Sequence, residues 1–302
     1  MKLKHLILIL LIGAGTVYGG LKGYIYYTVK KQADTLVAAA RPFADIEYGS
    51  IGSTFSGEVT VGEIRVYPHG VNDAVRIDEL RVITPGLDFL LNGEKSLKKG
   101  KLPERMGMQF RGTRFNLNGP LAEMLEQAEA NPPGDALPVQ QSCNLSRKFA
   151  TAQYRELGLS ELIFDNEFSI ERGLTASQMV IKWHYSLRDV EEADFTLTLE
   201  GLGDSIMSVA LATPLLKSTT INYKAEQAFG KKALDYCAGL QGVDVPTFIS
   251  QLLDRDDEYF VNELGFVPGP GIRDALRRFI ETQGEVSIVA LPDSPLDVKT
   301  MH

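Results

Sequence analysis

Residues 6 to 12 read Leu-Ile-Leu-Ile-Leu-Leu-Ile, and this run restricts the fate of the chain more than any other stretch of it. Gly13 to Leu21 prolongs the apolar character without an acid or a base, Lys22 interrupts it, and Gly23 to Val29 resumes it with Tyr24, Tyr26 and Tyr27. A helix from Leu6 to Val29 would be about 35 Å long at 1.5 Å per residue, enough for a bilayer core of about 30 Å. Lys22 can lift its ammonium group to the interface, and the tyrosines after it form half of an aromatic belt. Residues 1–30 are therefore expected to be an uncleaved transmembrane anchor. A cleaved signal peptide is the competing reading, but Ala38-Ala39-Ala40 lies too far downstream to serve as its cleavage site. Lys30 to Ala40 should continue the helix out of the membrane until Pro42 stops it, making 31–43 a membrane-proximal helix.

Orientation is weakly encoded, because Lys2 and Lys4 nearly balance Lys30 and Lys31 across the apolar run. The usual signal-anchor layout places the anchor in an inner membrane with the body in the periplasm; a cytoplasmic body is the alternative. The body itself has ordinary globular chemistry, with 44% hydrophobic and 23% charged residues in the whole chain. A formal net charge of -8 supplies no basic field for a phosphate backbone, so nucleic acid is not an expected partner. The two cysteines, Cys143 and Cys237, leave two alternatives. In an oxidising compartment they would close a loop worth roughly 4 to 5 kcal/mol in the chain-entropy picture; in a reducing one they would be two buried thiols.

From Ala44 onward apolar residues recur at every second position: Ile46 and Tyr48, Val59 and Val61, Ile64 and Val66, Val75 and Ile77, Leu80 and Val82. This is strand spacing, and its parity switches near Gly62 and again near Asp78-Glu79, as a bulge or a change of layer would require. Met108 to Leu117 predicts another strand, Asn118-Gly119-Pro120 a helix start, and Asn131 to Val139 a linker. The expected organisation is a first β-rich region over 44–130, a linker over 131–142, and a second β region with C-terminal helices over 143–302. In that second region Ser146 to Leu157 predicts a helix. Leu159 to Phe164, Glu167 to Arg172, Gln178 to Leu187 and Ala193 to Gly201 predict two hairpins with Asp165-Asn166 as one connection. Ala225 to Ala238, Pro246 to Asp254 and Ile272 to Thr282 predict helices, and Glu285 to Leu291 a closing strand. The fold class is α+β, an antiparallel sheet behind an N-terminal transmembrane helix.

An anchor, a helix leaving it, and strands of the form Ile46-Glu47-Tyr48-Gly49-Ser50-Ile51, Gly57-Glu58-Val59-Thr60-Val61 and Ile77-Asp78-Glu79-Leu80-Arg81-Val82 resemble the start of AsmA-like bacterial envelope proteins and of the anchored DUF945 proteins. The resemblance covers residues 6 to 91. It implies a curved sheet with an apolar groove associated with lipid handling.

Residues for catalysis are few. The histidines are His5, His69, His184 and His302; there is no Gly-x-Ser-x-Gly elbow and no His-Glu-x-x-His pair. His184 reads as a strand residue facing its sheet neighbours, and His69 as part of a turn. Asp254, Asp256, Asp257 and Glu258 lack EF-hand spacing and read as a solvated charge run. Lys95, Lys98, Lys99, Lys101 and Arg105 form the one basic cluster, which reads first as a polar loop, with contact to anionic lipid headgroups as the alternative. No cofactor, metal or catalytic residue is expected. The leading expectation is a non-catalytic envelope protein that handles membrane lipid or another apolar ligand. A scaffold for a membrane-protein partner comes second and an anchored hydrolase third.

Overall fold

The computed structural model describes residues 3–54, 56–89, 103–131, 143, 149–175, 177–202, 214–264 and 266–297, without the side chains of 3–19, 21 and 264. The chain opens with helix α1 (Leu3–Ala40), which ends just before Pro42, the residue that cannot continue it. The segments expected as an anchor and as a membrane-proximal helix thus form one continuous helix.

The membrane expectation needs correction at its C-terminal end. Ile25 and Val29 are buried, packed with Val59 and flanked by Ile51, Val82 and Leu87. Lys22 donates to the Ser53 carbonyl oxygen. Residues 22 to 29 therefore rest one face on the protein body, where the sequence suggested lipid on all sides. Among the described residues, no helix is long and apolar enough to cross a membrane. The side chains of the Leu6 to Ile12 run lie outside the described set.

The body is α+β, an eleven-stranded antiparallel sheet with helices. Strands β1 (Ala44–Glu47) and β2 (Ser50–Ser53) both pair along the outer edge of β3 (Glu58–Pro68). From β3 the neighbours follow the chain: β4 (Val75–Ile83), β5 (Arg105–Asn116), β6 (Glu161–Arg172), β7 (Met179–Leu187), β8 (Glu191–Glu200), β9 (Leu215–Ala225) and β10 (Glu285–Ala290). The two-residue β11 (Leu296–Asp297) pairs with β9 beside β10. Pairing of β5 with β6 carries the sheet across the boundary expected at 131–142, so the two β regions share one sheet. The linker itself lies almost wholly outside the described residues.

The parity switch in the sequence marks a line across three strands. Glu63 takes φ 57 and Gly112 takes φ 58, and Asp78 sits between them on β4. A left-handed residue inside a strand reverses which face the next side chain meets, so Met108 and Phe110 give way to Thr113 and Phe115 on the same face. Glycine is required at 112, since a Cβ there would lie 2.1 Å from Asp78 Oδ2.

Asp165 and Asn166, expected as a turn, instead run through the middle of β6. Each holds a neighbouring strand: Asp165 Oδ1 accepts from the Gly112 amide at 2.5 Å, and Asn166 Oδ1 accepts from Trp183 Nε1 at 2.7 Å. Tertiary hydrogen bonds thus override local turn propensity.

Helices close one end of the sheet. α2 (Pro120–Ala130), α3 (Thr151–Glu156) and α4 (Gln227–Gln241) bring Leu121, Ala122, Tyr154 and Phe229 onto Phe115, Leu117, Leu187 and Val190. α5 (Val245–Leu253) and α7 (Pro270–Thr282) build a second cluster from Ile249, Leu253 and Ile280. α6 (Asp257–Leu264) was concealed in the acidic run. Asp257 and Glu258 occupy its first turn, where acids suit the helix dipole, and Asp256 accepts from the Tyr259 amide at 2.9 Å.

Candidate functional site

In an antiparallel sheet, directly paired residues point to the same face, so the register reads out each face row by row. One row runs Val59, Val82, Met108, Phe168, Trp183, Phe195, Ile221 and Ile288, one residue from each strand from β3 to β10. Every member is apolar. Seven strand spacings of about 4.8 Å make the row roughly 34 Å wide. A parallel row on the same face adds Met106, Ile170, Ile181 and Leu197, and a third adds Met179, Leu199 and Leu216.

This part of the face is incompletely covered: Met108 is 40% exposed, Phe168 40%, Trp183 41% and Ile288 45%. Four large side chains in one row, each left with about two fifths of its surface accessible, make a contiguous apolar area. The reverse face is polar. It carries the cross-strand ion pairs Arg105–Glu171 at 3.2 Å, Lys182–Glu171 at 3.0 Å and Lys217–Glu200 at 2.6 Å.

At its β3 corner the open row is met by α1, through the contacts of Ile25 and Val29 with Val59. Toward the helical end it passes into a tyrosine cluster. Tyr223 donates to Glu191 at 2.6 Å, and its ring stands edge-on to Phe279 of α7 at 5.5 Å. Burial first, and the Glu191 carboxylate second, push Tyr185 up to about 12 and raise Tyr154 and Tyr223 as well. These hydroxyls stay neutral at physiological pH and close the polar end of the face.

Of the residues singled out in the sequence, Cys143 and Cys237 are brought together: they form a disulfide with a Cα separation of 5.6 Å. Arg105 spends its guanidinium on Glu171 at 3.2 Å, on the polar face. Lys95, Lys98, Lys99 and Lys101 lie outside the described residues. His184 meets its sheet neighbour Asp194, Nδ1 to Oδ1 2.9 Å, as a strand histidine would. Asp254 and Asp257 pair with Arg277 and Arg273, each at 2.8 Å, a use that needs no calcium.

The apolar row itself was not singled out. Its residues are scattered over eight strands, and β9, one of them, was missed altogether although Thr219, Ile221 and Tyr223 alternate as strand residues do. Compared with known proteins, the chain matches no family model and no curated relative.

Proposed function

We propose that this chain is a non-catalytic, membrane-anchored envelope protein whose open sheet face takes up the acyl part of a membrane lipid or a comparable apolar ligand. The observation that carries this is the unbroken row from Val59 to Ile288, half-exposed at Met108, Phe168, Trp183 and Ile288. Each methylene moved from water onto such a surface contributes about 0.8 kcal/mol, so even part of an acyl chain gives useful affinity.

Two further features support the reading. The disulfide favours an oxidising compartment, which in a bacterial envelope is the periplasmic side of an inner membrane. The contact of α1 with Val59 puts the open row beside the helix that carries the apolar run. With residues 22 to 29 partly engaged by the body, the inserted part is Leu6 to Leu21. That is about 24 Å of helix, short of a full hydrocarbon core, and the bilayer accommodates it by thinning and by snorkelling of Lys4 and Lys22. The resemblance to AsmA-like starts points the same way.

The test is native mass spectrometry of protein extracted gently from membranes. A lipid adduct that disappears in Trp183→Glu and Phe168→Glu is the expected result. Adduct-free protein, or an adduct indifferent to both changes, overturns the proposal.

A second reading, a scaffold that binds a membrane-protein partner, is favoured by a separate observation. Val261, Phe266, Val267 and Ile272, around α6 and α7, are exposed by 43 to 50%. Capture of a membrane partner that depends on residues 225 to 284 would favour it over lipid uptake.

A further inference from the structure

On the polar face, the side opposite the apolar row, three side chains converge that the lipid reading does not use. His184 of β7 and Asp194 of β8 are directly paired, and Glu192 lies two residues before Asp194, hence on the same face. One ligand-type atom from each lies within 4.8 Å of the other two. Glu167 of β6 is paired with His184 from the other side, so its carboxylate shares the face. Elsewhere on this face carboxylates meet lysines or arginines: Glu171 takes Arg105 and Lys182, and Glu200 takes Lys217. Among the described residues, Glu167 and Glu192 have no such ion pair, and the cation beside Asp194 is an imidazole that is charged only when protonated. Lys224 of β9 is paired with Glu192 but forms no ion pair with it, and three carboxylates beside one histidine and one lysine still leave local negative charge that a cation would neutralise.

We propose that His184, Glu192 and Asp194 bind a divalent zinc-class ion, with water completing its coordination. One imidazole nitrogen with carboxylate oxygens suits Zn2+ or a neighbouring first-row metal better than Mg2+ or Ca2+, which prefer oxygen alone. The 2.9 Å between His184 Nδ1 and Asp194 Oδ1 is an edge that two ligands at about 2.0–2.2 Å from one ion can span. The strands fix the backbones of all three ligands, so binding requires only side-chain rotation. Thiolates do not compete, because Cys143 and Cys237 are joined in the disulfide. The His184 side chain is 35% and the Asp194 side chain 53% exposed, which leaves room for water to complete the coordination.

Isothermal titration of Zn2+ alone into the full chain in detergent tests this, with His184→Ala, Glu192→Gln and Asp194→Asn alongside the parent. One site is expected, weakened by at least about tenfold in each variant, since losing even an outer partner of a metal ligand costs about 10- to 100-fold. His69→Ala, on the other histidine beside an acid, should leave the affinity unchanged. Circular dichroism of the variants establishes that the fold persists. In parallel, Co2+ loading should give a visible absorption band that His184→Ala removes. Absence of binding by the parent, or binding that survives His184→Ala, overturns the proposal whatever the outcome of the lipid experiment.

Discussion

The apolar face of the sheet has two regions built from the same material and finished differently. At the helical end, Phe164 of β6 and Leu187 of β7 sit under Tyr154 and Phe229 and join a closed core. Four residues along the same strands, Phe168 and Trp183 present the same face with no such lid among the described residues and remain 40% and 41% exposed. Residue chemistry does not distinguish the two regions; cover does. A face that is equally apolar throughout and roofed at one end only separates a part that holds the fold together from a part free to bind.

That contrast can be broken or sharpened in order of expected effect. The disulfide fastens α4, which carries part of the roof, to Cys143 across a sequence separation of 94. Cys237→Ser should destabilise the protein by about 4 to 5 kcal/mol in the chain-entropy account, measured by denaturant unfolding. Removing a roof side chain comes next: Phe229→Ala should cost about 3 to 5 kcal/mol as a buried aromatic leaving a cavity, with loss of cooperativity at the helical end. Gly112→Ala should follow at about 1 to 3 kcal/mol, because alanine must adopt φ 58 against Asp78; a stability equal to the parent would refute the account of the parity line.

An alkaline titration probes the border between the regions. Tyr154, Tyr185 and Tyr223 have folded-state values raised above the ordinary 10.0. Above that pH the unfolded chain gives up protons that the native protein keeps, so stability present at neutral pH falls as pH climbs from 10 toward 12. Tyrosinate absorbance from the cluster should accordingly appear only on unfolding. The smallest stability effect belongs to the open region: Phe168→Ala should change stability by less than about 1 kcal/mol, and Trp183→Ala by about 0.5 to 1.5 kcal/mol more through its lost hydrogen bond to Asn166, while both remove the lipid adduct expected under the proposal. A large destabilisation there would mean that the open row is core, and the comparison would collapse.

Much of this architecture was legible in the sequence. Alternation from Ala44 to Val82 gave the first strands, and its change of parity located the line that Glu63 and Gly112 draw through the sheet. Pro120 marked a helix start as expected, and the helix predicted to reach Leu157 ends at Glu156, although it begins at Thr151, later than the sequence suggested. What failed did so where long-range contacts decide. Asp165-Asn166 has turn composition, yet its side chains serve β5 and β7. The acids at 256 to 258 are exposed, as a solvated charge run should be, but the helix α6 that begins among them was not foreseen. The candidate site was hidden for a related reason. Trp183 and Phe195 become neighbours only through strand register, and periodicity within one strand carries no information about register between strands.

The order of the strands bears on how such a molecule is made. From β3 to β9 each strand pairs with the one synthesised just before it, and β10 and β11 return to β9 from beyond α4 to α7. A chain emerging amino end first from a narrow channel can therefore add each strand to its predecessor without waiting for its tail, with the β5 to β6 step closing the longest loop of this series, from Leu117 to Ser160. Assembly finishes with β10 and β11, which emerge after α4 has already brought Cys237 within reach of Cys143, so oxidation can fasten the helical end while the last two strands have yet to dock.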